Sequence, residues 1–131
     1  MPSCVVIDDS GRVRDIAIAL LSEVGIEGWG AADVATGLEL LAQMKPDAIL
    51  LDWDLPEHGA LDVLTGTVEV ALPRPVTVLM ATENDPKQFA LARAAGASGV
   101  LIKPFDRHDF RAALTRAGVL AVDSAQAGMA G

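Results

Sequence analysis

Asp52 closes a short apolar run, Ala48 to Leu51, and is followed by Trp53, Asp54, Leu55 and Pro56. A carboxylate delivered at the end of a buried strand can act as a nucleophile, and Asp side chains attack phosphorus to give aspartyl phosphates. Other apolar runs also end in reactive groups. Cys4 to Ile7 ends in Asp8 and Asp9, Val76 to Ala81 ends at Thr82, and Gly99 to Ile102 ends at Lys103. Three carboxylates in one crevice repel one another and raise each other's pKa unless a hard divalent cation sits between them. Mg2+ suits such a set, because it takes one or two carboxylates, a carbonyl and waters and favours phosphate oxygens in the remaining positions. Charge on a transferred phosphoryl group needs donors, and the Lys103 ammonium and the Thr82 hydroxyl are the two at hand. Taken singly, each residue has an ordinary explanation: a strand-end Asp as a turn residue, Thr82 as a cap, Lys103 as a solvated lysine. The chemistry depends on whether the fold brings them together.

The elements that must do so read as strand and helix in strict alternation. After the first strand, Ser10 caps a helix with Val13, Ile16, Ala17, Leu20, Leu21 and Val24 on one stripe, and Gly25 stops it. Glu27 to Ala32 is a poor strand with two interior glycines, tolerable at a sheet edge. Asp33 caps a second helix with Val34, Leu38 and Leu41 inward, ending by Lys45 because Pro46 follows. A third helix is predicted from Ala60 to about Leu72 with Leu61, Leu64 and Val68 inward, weakened by ~1 kcal/mol at Gly66. Asp85-Pro86 opens a thinly packed fourth helix through Ala95, which Gly96 closes. Asp106 and Asp109 form a capping pair for the fifth, with Phe105 and Phe110 at the staple positions around it. Residues from Gly118 onward read as a frayed tail.

Five strand-helix units in this order predict an α/β fold: a doubly wound, five-stranded parallel sheet with helices on both faces. Parallel strands place all their carboxyl ends on one rim, where ligands bind. With 131 residues the chain suits one domain that buries roughly two-thirds of its unfolded surface. A net charge of -8 argues against direct binding to nucleic acid and suits a cation or a protein partner. The single cysteine, Cys4, excludes an internal disulfide and reads as a small buried hydrophobe. No apolar run approaches the ~18 residues of a membrane span and no leader pattern opens the chain, so a soluble, cytoplasmic protein is expected.

The order Asp-Asp, then D-x-x-x-P at Asp52 to Pro56, then Thr82, then K-P-F at Lys103 to Phe105 closely resembles the receiver (CheY-like) domain of two-component response regulators, over about Ser3 to Ala117. The resemblance implies a flavodoxin-like sheet of order 2-1-3-4-5, with a receiver at 1-117 and a tail at 118-131. It implies that Asp52 accepts a phosphoryl group from a sensor histidine kinase or histidine phosphotransfer protein. Asp8, Asp9, Asp52 and the Asp54 backbone carbonyl would handle Mg2+, Thr82 and Lys103 would contact the phosphoryl group, and Lys103-Pro104 would be cis.

Some positions depart from the family pattern. Val100 stands where the family usually has Tyr or Phe, so the switch is expected to run through Thr82 and the loop after it. Glu83 replaces the usual small residue, and Gly59-Ala60 is shifted by one from the usual glycine. Asp54 and Asn84, two places after Asp52 and Thr82, stand where side chains admit or block a hydrolytic water, and His58 and His108 read as surface residues. With only about a dozen residues after the receiver, output is expected by protein contact through the 85-117 face. The expected chemistry is limited to self-catalysed phosphotransfer and autodephosphorylation, without enzymatic turnover. Two rivals stand beside this reading. Asp52 to Leu55 also resembles the D-x-D motif of haloacid-dehalogenase-type phosphatases, though there the acid pair follows the lysine. A pseudo-receiver that is never phosphorylated is the other, with Glu83 and Val100 in its favour.

Overall fold

The computed structural model describes residues 2–70 and 74–121, and for residues 58 and 67–70 the backbone only. The strands are β1 (Ser3–Ile7), β2 (Glu27–Ala31), β3 (Ala48–Asp52), β4 (Val76–Ala81) and β5 (Gly99–Ile102). The helices are α1 (Gly11–Glu23), α2 (Val34–Met44), α3 (Gly59–Val70), α4 (Pro86–Ala94) and α5 (Arg107–Ala117), and a single 3-10 turn, Pro56–His58, precedes α3. All pairings are parallel, in the order β2-β1-β3-β4-β5. This is the predicted doubly wound sheet.

Both faces of the sheet are covered, so its central strands have no polar side: β3 is buried at every position. Side chains alternate between faces. Cys4, Val6, Leu50, Val78, Met80 and Leu101 pack with Leu21 of α1 and Phe110 and Leu114 of α5. Val5, Ile7, Ile49, Leu51 and Leu79 pack with Leu41 of α2 and with Val63 and Leu64 of α3. Cys4 is fully buried, and burial pushes its thiol up to about 12, which leaves it protonated and inert at neutral pH.

The helix starts follow their caps. Ser10 accepts from the Val13 amide, Asp33 from Thr36, and Asp85 from Lys87 and Gln88. Asp106 and Asp109 form a reciprocal capping box, and the Phe105 and Phe110 rings lie 5.8 Å apart around it as the staple. Lys45 ends α2 in the left-handed region before Pro46. As expected, α4 buries only Phe89 and Ala92.

Three expectations are refined. In α3 Leu64 is buried and Leu61 packs half-buried against the same cluster, as expected, and Ala60 and Val63 join them as buried positions. The Val68 side chain and the end at Leu72 lie outside the described residues. Gly66, a weak point on propensity alone, is a contact: a Cβ there would stand 2.8 Å from Leu38 Cδ2, so glycine lets α2 and α3 approach closely. The chain also does not fray at Gly118. Val119 and Leu120 fold back, their amides donating to the Leu114 carbonyl, and pack on the α1/α5 side of the core. Residues 122–131 lie outside the described residues.

Candidate functional site

Strand register brings the acids together. Ile7 pairs with Leu51, Asp52 with Met80, and Ala81 with Ile102, so the residues that follow β1, β4 and β5 emerge level with the end of β3. Beyond the strands the ladder continues through the Trp53 amide to the Met80 carbonyl (2.8 Å) and the Lys103 amide to the Ala81 carbonyl (2.7 Å). Backbone order therefore extends into the site.

Asp8 and Asp52 each close a tight turn by accepting the amide two residues on. Ser10 N–H donates to Asp8 Oδ1 at 2.8 Å, and Asp54 N–H donates to Asp52 Oδ1 at 2.9 Å. Asp8 is fully buried, Asp52 is 2% exposed, and Asp9 is exposed. Lys103 Nζ spans the two buried acids, donating to Asp52 Oδ1 at 3.2 Å and lying 2.8 Å from Asp8 Oδ2. At that distance Asp8 Oδ2 is paired with the Lys103 ammonium. One ligand atom each from Asp8, Asp9 and Asp52 lie within 4.8 Å of one another. An all-oxygen set of three carboxylates, two of them buried, fits a hard divalent cation.

The electrostatics follow from this packing. Burial raises the Asp52 carboxyl above its ordinary range; the Asp8 charge adds to the rise, while the Asp54 amide and Lys103 oppose it. Burial alone would lower the Lys103 ammonium, but its contact with Asp8 and the charges of Asp52 and Asp8 outweigh that and hold it above the ordinary lysine value. Lys103 is therefore a fixed cation at neutral pH. The Lys103-Pro104 bond is cis, as the resemblance implied.

Thr82 stands apart. Its hydroxyl donates to Asp54 Oδ2 at 3.1 Å and its amide to the same oxygen at 3.3 Å, and Thr82 is exposed. The sequence reading gave Asp54 only a carbonyl role, or a gate for water, and missed this contact. Glu83 and Asn84 are exposed, Val100 is half-buried and His108 is exposed; the His58 side chain lies outside the described residues.

Also missed was Arg14, whose Nη1 donates to the Asp8 carbonyl at 2.7 Å and braces the turn after β1. A signal existed: Arg14 shares a helical column with Ile18 and Leu21, facing the two glycines of β2. A Cβ on Gly30 would lie 3.3 Å from Arg14 Cδ, so the glycine leaves room for the arginine.

Residues 4–115 match the family described as Response regulator receiver domain. The chain belongs to that family. It is 35% identical over 105 residues to a protein-glutamate methylesterase/protein-glutamine glutaminase 2 of Xanthomonas campestris, which covers 76% of this chain and 29% of that protein. It is 36% identical over 121 residues to the transcriptional regulatory protein KdpE of Mycobacterium tuberculosis, covering 89% of this chain and 51% of the relative. The chain thus spans about half, or less, of these relatives' length. In fold it resembles the chemotaxis protein CheY4 of Vibrio cholerae, with a TM-score of 0.82 at 24% identity over 89% of this chain and 98% of the other. A receiver domain is a signalling domain, and the match sets aside the haloacid-dehalogenase reading. Among the described residues no helix is long and apolar enough to cross a membrane.

On the flank of this receiver, between α4, β5 and α5, lies a cavity of about 310 Å³. Phe89, Val100, Ile102 and Ala113 line it, with Arg93 and Arg116 among its polar residues.

Proposed function

We propose that this receiver accepts a phosphoryl group on Asp52 from a sensor histidine kinase or a histidine phosphotransfer protein. The observation that carries the proposal is Lys103 Nζ held between Asp8 and Asp52, at 2.8 and 3.2 Å. Both donors to Asp52 use Oδ1, which favours attack by Oδ2. In the transfer a carboxylate oxygen of Asp52 forms the bond to phosphorus, the bond from phosphorus to the donor imidazole nitrogen breaks, and that nitrogen keeps the electron pair and is then protonated. Lys103 offsets charge on the phosphoryl oxygens as they approach. Asp8, Asp9 and Asp52, with the Asp54 carbonyl, would hold Mg2+, which supplies neutralisation of the charge that the acids and the phosphoryl group share. No separate substrate is turned over; hydrolysis of the aspartyl phosphate resets the domain.

Output runs through protein contact at the 85-117 face. Support comes from the cavity there, whose mixed lining combines Phe89, Val100 and Ile102 with two arginines in a chain of net charge -8, and from the exposure of Leu91 on α4 and Ile102 on β5. A protein partner is the occupant that such a face suits, rather than nucleic acid. The proposal places the domain in the cytoplasm, where histidine kinases present their phosphate.

The test is phosphotransfer profiling. Phosphorylated histidine kinases of the source organism, supplied with Mg2+, are expected to move label onto this chain, one of them much faster than the rest. No transfer from any of them, together with no effect of Mg2+ on Trp53 emission, would favour the pseudo-receiver instead.

A further inference from the structure

The contact between Asp54 and Thr82 is a polar feature of the rim that the proposed chemistry does not need and that works against it. The turn after β3 makes it. Trp53 N–H on the Met80 carbonyl and Asp54 N–H on Asp52 Oδ1 fix the backbone at both sides of the bend, and so aim the Asp54 side chain across to the end of β4. There one oxygen, Oδ2, receives both the amide and the hydroxyl of Thr82. The hydroxyl expected to meet a phosphoryl group is thus already engaged by a carboxylate two residues from the phosphoacceptor.

We infer that Asp54 is a positioning residue that latches Thr82 in the resting state and sets how readily the domain switches. The inference rests on Asp52 being the phosphoacceptor. A phosphoryl dianion on Asp52 and the Asp54 carboxylate offer the same kind of acceptor to the same two donors, and they repel each other. Thr82 can satisfy one of them at a time. The latch distances, 3.1 and 3.3 Å, are long for charge-assisted hydrogen bonds, and the pair is exposed to water. Such a contact biases a two-state loop without locking it, so a nearby dianion can displace it. The side chain at position 54 then trades resting stability of the β4 end against ease of activation.

The latch is tested first without metal or phosphate, on the full chain, by hydrogen exchange at the Thr82 amide. Asp54→Ala is expected to lower protection there about tenfold, the worth of one charge-assisted bond, with Asp54→Asn intermediate and core amides such as that of Leu50 unchanged. Equal Thr82 protection in all three proteins would overturn the latch. The second arm is affinity for beryllofluoride with Mg2+. Asp54→Ala should bind more tightly than the parent, and the gain should shrink in a Thr82→Ala background, because part of it comes from freeing that hydroxyl. An undiminished gain would mean that Asp54 acts only through its charge, and would also overturn the latch. If the parent chain did not bind beryllofluoride at all, the phosphoacceptor reading would fall, while the exchange arm would still decide the latch.

Discussion

Lys103 and Thr82 follow neighbouring strands, yet the structure treats them differently. Lys103 is held by two buried carboxylates, and its side chain is 14% exposed. Thr82 is exposed and bonded to a carboxylate outside the buried set. One half of the rim is built by the core; the other half is an exposed loop contact, the one that the proposed switch would exchange. The difference follows from what precedes each residue. Asp8 and Asp52 end strands whose side chains are buried on both faces, so the acids have little freedom. Beyond Thr82 the chain enters exposed Glu83 and Asn84 and then α4, which buries only Phe89 and Ala92. Little packing restrains that end, which suits the proposed switch.

If this contrast is right, the largest effect falls on the prebuilt half. Lys103→Met leaves Asp8 and Asp52 buried without their cation, and urea unfolding of the metal-free protein should show a loss of about 3 kcal/mol. Comparable losses from Lys103→Met and Thr82→Val would erase the distinction. Next, Gly37→Ala presses a methyl 2.6 Å from Ile7 Cδ1, directly under the residue that leads into Asp8. It should cost about 2 kcal/mol and weaken the Mg2+ response of Trp53 emission.

A smaller effect comes from the charge of Asp52. Its carboxyl is raised in the fold, so the group favours folding when protonated, and that contribution is lost as pH rises through the raised value. Once ionised, Asp52 therefore opposes folding. Without Mg2+, Asp52→Asn should melt higher than the parent, and the gap should close as the pH falls through the range in which Asp52 protonates. A gap that persisted in acid would contradict this cause. Lys103 shows no such change near neutrality: its raised value keeps its contribution intact until pH exceeds the ordinary lysine range. Smallest is Thr82→Val, within about 0.5 kcal/mol of the parent in stability, as for an exposed loop residue.

The same contrast governs what the sequence could say. The meeting of Asp8, Asp52 and Lys103 was legible because several apolar runs end in reactive groups and parallel strands share one rim, although a strand-end Asp alone reads as a turn residue; the capping residues Ser10, Asp33, Asp85 and Asp106 marked the helices by local hydrogen bonding alone. The Asp54 contact was not legible. It spans 28 residues and depends on the direction of a turn, which side-chain periodicity does not encode. Arg14 was hidden for a related reason, since its role needs the β2 glycines opposite it. On α3 the inward Ala60 and Val63 were not named beside Leu61 and Leu64, and the Val119–Leu120 return was masked by small-residue composition.

The central claim is that Asp52 carries the phosphoryl group, and the most direct measurement is covalent labelling by acetyl phosphate with Mg2+, read by intact mass. The parent chain should take up one phosphoryl group, and Asp52→Asn, with its fold intact, should take up none. A label that persisted on the Asn variant would contradict the account.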